Sequence, residues 1–383
     1  MNNVSKDVKS GRNYGIDLFR IFAMYMIVVV HIMNHGGVFG HEKSGAANII
    51  DTFIAAFVYS CVNCYALISG FVGYRENKYN HKFASLITMW FQVVLYGVLL
   101  TILFKLTGWA DVGLKQWVKA VLPVSTGYYW YFTAYVGVVL VAPYIHFLLD
   151  KMSKKAVIAM CVGIFVLFSV YSTGIVILGD PFALKAGFTF VWLSALYIIG
   201  AAIKKYDIYV NKIGGVLLLA FSCIIVTVLS KIGIGWITTR LIGSPKGAML
   251  LYNYISPTEV LLSISLLIIF ANIKVSSKAA KLIGFAAPAT FGVYLIHDNP
   301  LVRESVIAKI GGRIAELPGI LPPVAVCGTA LGILIICLLI DRIRIALFDL
   351  LRVKALAEKI ESLRQNMMER FVNRISPLEK YKS

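Results

Sequence analysis

Long apolar runs recur along almost the whole chain and are separated by short polar segments. A run of about 20 such residues is long enough to cross a hydrocarbon core of ~30 Å as an α-helix. The pattern predicts ten spans, near residues 17–36, 49–73, 83–104, 128–149, 156–178, 188–203, 213–230, 254–273, 282–300 and 320–340. We therefore expect an all-α, polytopic integral membrane bundle of about ten transmembrane helices.

The pattern changes after Asp341. Five apolar residues of this tail recur at helical spacing with charged residues between them, namely Leu356, Ile360, Leu363, Met367 and Phe371. Such a segment is typical of an amphipathic helix that lies on a membrane or against a partner. The expected organisation is a cytoplasmic N-terminal segment (1–13), a membrane domain (14–341) and a cytoplasmic amphipathic, basic tail (342–383).

Composition agrees with a membrane protein. The 383 residues are 59% hydrophobic and only 15% charged, whereas about a quarter of the residues of a soluble domain are charged. The net charge of +18 is concentrated in short loops beside the spans, which favours attraction to anionic lipid over nucleic-acid binding. Lys and Arg are enriched in the even-numbered loops and at both ends of the chain, so we expect both termini in the cytoplasm of a cell-membrane protein.

The first apolar run and the cysteines suggest no processing and no disulfide framework. No small-residue cleavage site follows the first run, so we expect this span to be retained. All six cysteines lie within apolar runs, where a small, soft side chain packs well. Cys61 and Cys64 form one CxxC, for which a redox pair remains the alternative. We expect no metal site and no permanently bound cofactor.

The first predicted span contains four ionisable residues, which are costly inside a bilayer. They are Asp17, Arg20, His31 and His35. His31 lies eleven positions after Arg20, about three helical turns, so these side chains share one face roughly 16 Å apart along the axis. A lipid-facing stripe of this kind is unfavourable, and the spacing predicts a polar cavity. The alternative is that each group reaches the nearest membrane surface independently.

Four stretches of the sequence together resemble the acyltransferase-3 family of membrane O-acyltransferases. The first runs from Gly15 to His31 and holds the spaced Arg20 and His31. The others are the segments 67–75 (LISGFVGYR), 130–132 (WYF) followed by Pro143, and 292–297 (GVYLIH). The likeness covers about residues 17–340. Members move acetyl or related acyl groups onto cell-surface polysaccharides, peptidoglycan, lipopolysaccharide or small molecules.

The resemblance implies roles for three residues. His31 would be the catalytic histidine, and Arg20 and Arg75 would serve the acyl donor. Members often have a second arginine two positions after the one that matches Arg75, where this chain has Asn77 followed by Lys78. Many members also have a fused extracytoplasmic hydrolase-like domain, and we expect none here.

Spacing along the predicted spans gives two further groups of candidate residues. Those expected at the cytoplasmic end, where guanidinium groups could hold the phosphates of acyl-CoA, are Arg20, Ser69, Gly70, Arg75 and Lys78. Those expected near the acceptor are His31, His35, Trp130, Glu259, Tyr294 and His297, with Asp17 supporting Arg20. For several of them a structural role is the alternative: Gly70 in helix packing, Trp130 in an interfacial belt, and Arg75 and Lys78 as ordinary loop cations.

Together with these two groups of residues, the resemblance implies transfer of an acyl group from cytoplasmic acyl-CoA to a hydroxyl of a cell-surface or exported glycan. Acetyl is the expected group because it is the commonest in the family, and succinyl is the alternative. His31 would act as a general base or be acylated itself. The predicted partners are acyl-CoA, the acceptor and membrane lipid, and homo-oligomers remain open. A transporter or flippase of a small molecule or glycan intermediate is the principal alternative. A scaffolding subunit that works through the amphipathic tail is a third.

Overall fold

The computed structural model describes residues 12–40, 45–79, 83–208 and 213–375. Within these ranges every regular element is helical, which confirms the all-α prediction. The helices are α1 (Tyr14–His35), α2 (Ala46–Val58), α3 (Cys61–Gly73), α4 (Ala84–Thr107), α5 (Leu114–Val121), α6 (Trp130–Lys151), α7 (Lys154–Ile164), α8 (Phe190–Lys205), α9 (Ile213–Ile242), α10 (Pro257–Ala271), α11 (Ser277–Ala286), α12 (Thr290–His297), α13 (Ala308–Ala315), α14 (Leu321–Leu350) and α15 (Val353–Ile375). Most of the predicted N-terminal segment and the last eight residues lie outside the described ranges.

Eight helical segments among the described residues are long and apolar enough to cross a membrane. They correspond to eight of the ten predicted spans. The remaining two predicted spans are the shorter helices α8 and α10, of 16 and 15 residues, so the count of ten is not confirmed. Two spans are broken: α2 and α3 are joined by a turn at Tyr59 and Ser60, and a 3₁₀ turn (Ala287–Ala289) separates α11 from α12.

The first two spans form the centre of the bundle. Two thirds of the most apolar stretch is buried in α1 and in the α2–α3 span. Less than a third is buried in α9, in α14 and in the span Lys154–Gly174, which begins with α7. Those outer helices therefore present their apolar side chains outward, as expected of helices that contact lipid. Because α1 is surrounded by protein, ionisable residues on it can face an internal cavity.

Small residues allow α3 and α8 to approach each other closely. A Cβ atom at Gly70 would collide with the backbone carbonyl of Tyr197 on α8, and one at Gly200 would collide with the carbonyl of Leu67 on α3. This geometry is typical of membrane helix pairs. It gives Gly70 a packing role and does not support the predicted contact of Gly70 with the donor.

The last span continues beyond the predicted domain boundary. α14 runs through Asp341 to Leu350, and the Asp341 carboxylate is buried inside the bundle. It accepts hydrogen bonds from Gln92, Tyr96 and Arg344. The amphipathic tail is the helix α15, which follows a turn at Leu351 and Arg352 and packs its Arg364 guanidinium over the Phe83 ring beside α4.

Candidate active site

One cavity of about 550 Å³ runs along α1 and is lined by both Arg20 and His31. Its size falls within the range of ~300–1,000 Å³ that is usual for small-molecule sites. Side chains from α3, α6, α12 and the segments that follow them complete the wall, including Ser69, Trp130, Tyr131, Tyr294, Asp298 and Arg303. The structure therefore brings the two first-span residues to one internal space, as their helical spacing predicts. We name its two ends the Arg20 end and the His31 end.

Hydrogen bonds fix the orientation of the His31 imidazole. His31 Nδ1 lies 3.0 Å from His297 Nε2, and His297 Nδ1 lies 2.6 Å from the Val293 carbonyl oxygen. A carbonyl only accepts, so His297 Nδ1 carries its proton and, in the neutral ring, His297 Nε2 is the acceptor. His31 then donates through Nδ1, and its Nε2 keeps a free lone pair. This is the tautomer that a general base requires.

A carboxylate next to His297 completes this end of the cavity. Asp298 Oδ1 lies 3.5 Å from His31 Nδ1 and 3.3 Å from Arg303 Nη1. Burial raises the pKa of the Asp298 carboxyl, and the nearby His297 and Arg303 oppose that rise. In this position Asp298 can stabilise the imidazolium that forms when His31 takes up a proton.

The same cluster could hold a metal ion by distance alone. Ligand atoms of His31, His35 and Asp298 lie within 4.8 Å of one another. The Arg303 guanidinium, however, already contacts the Asp298 carboxylate and would repel a second cation there. The arrangement is better suited to proton transfer than to metal binding.

Aromatic residues form the wall between the two ends. Trp130, predicted from the sequence, lines the cavity together with Tyr131. Tyr294 also lines the cavity, and among the described residues its buried hydroxyl has no hydrogen-bond partner. Tyr129 supports this wall by donating to the Leu295 carbonyl at 2.8 Å.

At the Arg20 end, the guanidinium lies beside a carboxylate and the cavity. Asp17 Oδ1 lies 3.3 Å from Arg20 Nη1, and Arg12 also pairs with Asp17. Asp17 therefore supports Arg20 from outside the cavity wall. Since a guanidinium has five N–H donors, this contact leaves donors for an anionic ligand. Ser69 lines the cavity nearby and donates to the Tyr65 carbonyl one turn earlier.

Arg75 and Lys78 do not line the cavity but lie on an exposed loop that follows α3. One carboxylate, Asp150, holds this loop in place. It accepts from the Tyr74 hydroxyl, from the Asn77 backbone N–H at 3.0 Å and from the Tyr79 hydroxyl at 2.9 Å. Lys205 pairs with it at 3.1 Å. The loop cations therefore have a fixed position at the surface.

Glu259 lies outside the cavity lining. Its side chain is fully buried near the start of α10, and among the described residues neither carboxylate oxygen has a hydrogen-bond partner. Glu259 is not among the residues that line the cavity, and its predicted role near the acceptor stays a prediction. His297, in contrast, contacts His31 directly, and His35 lines the cavity.

The sequence prediction did not include three charged residues of the site and its support: Asp298, Arg303 and Asp150. Asp298 lies at the end of the ninth predicted span (282–300), and Arg303 lies just past it, where a cation is typical of an ordinary loop. The adjacency of Asp298 to His297 was the available signal. Asp150, near the end of the fourth span, had no signal of its own, since its partners come from a distant loop.

Comparison with known proteins bears on this arrangement. A family model described as an acyltransferase domain matches residues 13–342, which is most of the chain. Searches among curated proteins and among solved structures find no match. The family match confirms the resemblance seen in the four sequence stretches. The chain therefore belongs to the acyltransferase-3 family and is a membrane acyltransferase.

Proposed function

We propose that this protein transfers an acyl group, acetyl in the first instance, from cytoplasmic acyl-CoA to a hydroxyl of a cell-surface or exported glycan. The observation that carries the proposal is the single cavity lined by a guanidinium at one end and an imidazole base at the other. About 16 Å of helix separates the two groups. In this proposal the Arg20 end opens to the cytoplasm, the His31 end opens to the opposite side of the cell membrane, and both termini are cytoplasmic.

The Arg20 end suits the phosphates of the donor. Guanidinium groups bind phosphate in a bidentate manner, and the exposed Arg75 and Lys78 add positive charge at the adjacent surface. A cavity of about 550 Å³ suits the slender pantetheine arm better than the nucleotide. The nucleotide of acyl-CoA would therefore stay at the surface while the thioester reaches towards His31.

The His31 end suits proton transfer. His31 Nε2 takes the proton of the acceptor hydroxyl as its oxygen attacks the thioester carbon. The C–S bond breaks, and the CoA sulfur leaves with the proton returned from His31. The free Tyr294 hydroxyl can donate to the carbonyl oxygen as negative charge develops on it. An acyl-His31 intermediate, formed on Nε2 and then attacked by the acceptor, uses the same geometry.

The test uses purified protein in lipid nanodiscs with radiolabelled acetyl-CoA and a mixture of glycan acceptors. Wild type is expected to transfer label to an acceptor, and His31→Gln to lose transfer while it still binds acetyl-CoA. His146→Gln is the matched control, since His146 is a buried histidine outside the cavity, 2.8 Å from the Tyr197 hydroxyl. Label retained on the protein after denaturation would identify the acyl-histidine route.

Two results would contradict the proposal. Full turnover by His31→Gln would remove His31 from the chemistry. Movement of a labelled glycan or small molecule across proteoliposomes, without acyl transfer under any condition, would instead support the transporter alternative.

A further inference from the structure

A second groove, of about 470 Å³, lies outside the main cavity at the His31 end of the bundle. We call it the Trp109 groove. It is lined by Trp109, Ser305, Val306, Lys309, Ile310 and Arg313. None of these residues has a part in the chemistry described above.

Two packing contacts fix the groove relative to the active site. On one side, Phe104 and Val112 pack with Leu301 in a small buried cluster, which joins the segment that carries Trp109 to the chain after α12. On the other side, α13 meets the end of α1 where Gly36 and Gly311 approach each other too closely for any side chain. The groove is therefore formed by elements that pack into the bundle.

One helical face supplies its polar groups. Ser305, Lys309 and Arg313 are spaced by four residues, so they lie on the same side of the helical segment that ends in α13. Lys309 and Arg313 are exposed, and neither forms an ion pair with a described residue. No carboxylate is among the lining residues. The groove thus offers two cations to an anionic ligand.

The aromatic residue opposite these cations narrows the class of ligand. The Trp109 side chain is 62% exposed, and an exposed indole provides a flat apolar face with one N–H donor. Such a face packs well against the C–H face of a sugar ring, while Lys309 and Arg313 can pair with acidic substituents. An acidic saccharide satisfies both parts of the groove at once.

The groove lies next to the mouth of the active-site cavity. Arg303 lines the cavity and Ser305 lines the groove, and both belong to the same helical turn, Arg303–Ile307. Lys309 and Arg313 lie six and ten positions after Arg303, about 9 and 15 Å further along the helix. A chain bound in the groove could therefore place a hydroxyl of a neighbouring sugar at the cavity mouth.

We propose that the Trp109 groove binds an acidic segment of the acceptor glycan, with carboxylate or phosphate groups paired to Lys309 and Arg313 and a sugar ring packed on Trp109. This inference rests on the proposed function, since it assigns a chemical class to the acceptor of that reaction. The other occupant to be tested is an anionic lipid headgroup, because Trp and basic residues also occur at membrane surfaces.

The experiment measures binding by the full chain in nanodiscs of zwitterionic lipid, without donor. The saccharide probes are an oligogalacturonate, a phosphate-linked oligosaccharide and a neutral maltooligosaccharide of matched length, and phosphatidylglycerol vesicles are the probe for the lipid alternative. Wild type is expected to bind one or both acidic probes, more weakly as salt is raised, and to bind the neutral probe poorly. Which acidic probe binds more tightly distinguishes carboxylate from phosphate as the recognised group.

Two sets of variants distinguish binding in the groove from non-specific attraction to the positive charge of the protein. Lys309→Gln with Arg313→Gln is expected to raise the Kd of the acidic probe by roughly tenfold, the effect of losing two partly exposed ion pairs. Trp109→Ala is expected to weaken acidic and neutral probes alike. The matched control is Arg240→Gln with Lys246→Gln, which removes two exposed cations that lie outside this groove and should leave Kd unchanged.

Three outcomes would overturn the inference. They are equal binding of acidic and neutral probes, an equal loss of binding in the control variant, and a groove variant that loses binding only to phosphatidylglycerol vesicles. Because binding is measured without acyl-CoA, these outcomes are separate from those of the proposed function. That proposal fails if no acceptor is acylated, whereas this one fails on the probes and variants alone.

Discussion

His297 provides the sharpest test of the active-site geometry, because its only assigned role is to orient His31. His297→Ala removes the acceptor that lies 3.0 Å from His31 Nδ1, so His31 loses the hydrogen bond that selects its tautomer and stabilises its protonated form. A hydrogen bond to a charged group contributes about 1.5–3 kcal/mol. Since each ~1.4 kcal/mol of barrier changes the rate tenfold, kcat is expected to fall by roughly 10- to 150-fold.

The expected loss is confined to the chemical step. Arg20 lies about 16 Å from His31 along α1, so the KM for acyl-CoA should stay within about twofold of wild type if donor binding is independent of His297. The assay follows acyl transfer by purified protein in nanodiscs over a range of donor concentrations. His297→Gln is a useful second variant, since a side-chain amide oxygen can accept the His31 proton and should restore part of the rate.

Folding must be measured in parallel, because His297 is 1% exposed and its loss leaves the Val293 carbonyl without that partner. Thermal unfolding and acetyl-CoA binding serve as the controls. If folded His297→Ala kept a near-normal kcat while His31→Gln was inactive, the tautomer argument would be refuted. A parallel loss in KM would instead give His297 a structural role in the whole cavity.

Three further predictions follow from contacts elsewhere. Gly292→Ala should lower the unfolding temperature and destabilise the protein by about 1–3 kcal/mol, because its Cβ would collide with the Asp341 carboxyl. The control is Gly328→Ala, whose Cβ meets open space, and this variant should be neutral in the same melting assay. Asp150→Asn should raise the KM for acyl-CoA several-fold with kcat retained, since the loop held by Asp150 carries Arg75 and Lys78 and not the general base His31. A fall in kcat alone would contradict this prediction. Truncation of residues 351–383 should leave turnover in nanodiscs intact, and loss of turnover in a folded truncation would favour the scaffolding alternative.

Much of this site could be predicted from the sequence of one helix, α1. The spacing of Arg20 and His31 follows from helical geometry alone, and the structure places both on one cavity. Glu259 shows the limit of that reasoning. Periodicity gives the direction of a side chain on its own helix but not what packs beside it, so it does not decide whether a buried carboxyl such as Glu259 belongs to the site.

Residues that act across helices were harder to predict. Gly70 serves a close contact with α8, and a glycine needed by a ligand would have the same sequence signature. Asp298 and Arg303 lie where the chain leaves a span, and only the broken geometry after α12 turns them back to the cavity. Asp150 depends on partners more than 70 residues away in the chain. A single sequence contains no record of such pairings.

Residue 293 contributes to the site through its backbone carbonyl, which fixes the His297 ring, and not through its side chain. Any residue there supplies the same oxygen, so the site tolerates changes of side chain at 293 that still pack. What it does not tolerate is a change of register: one residue inserted between 293 and 297 would rotate the imidazole by about 100° around the helix axis. The four-residue spacing between positions 293 and 297 therefore orients His297, and through it determines which nitrogen of His31 takes part in proton transfer.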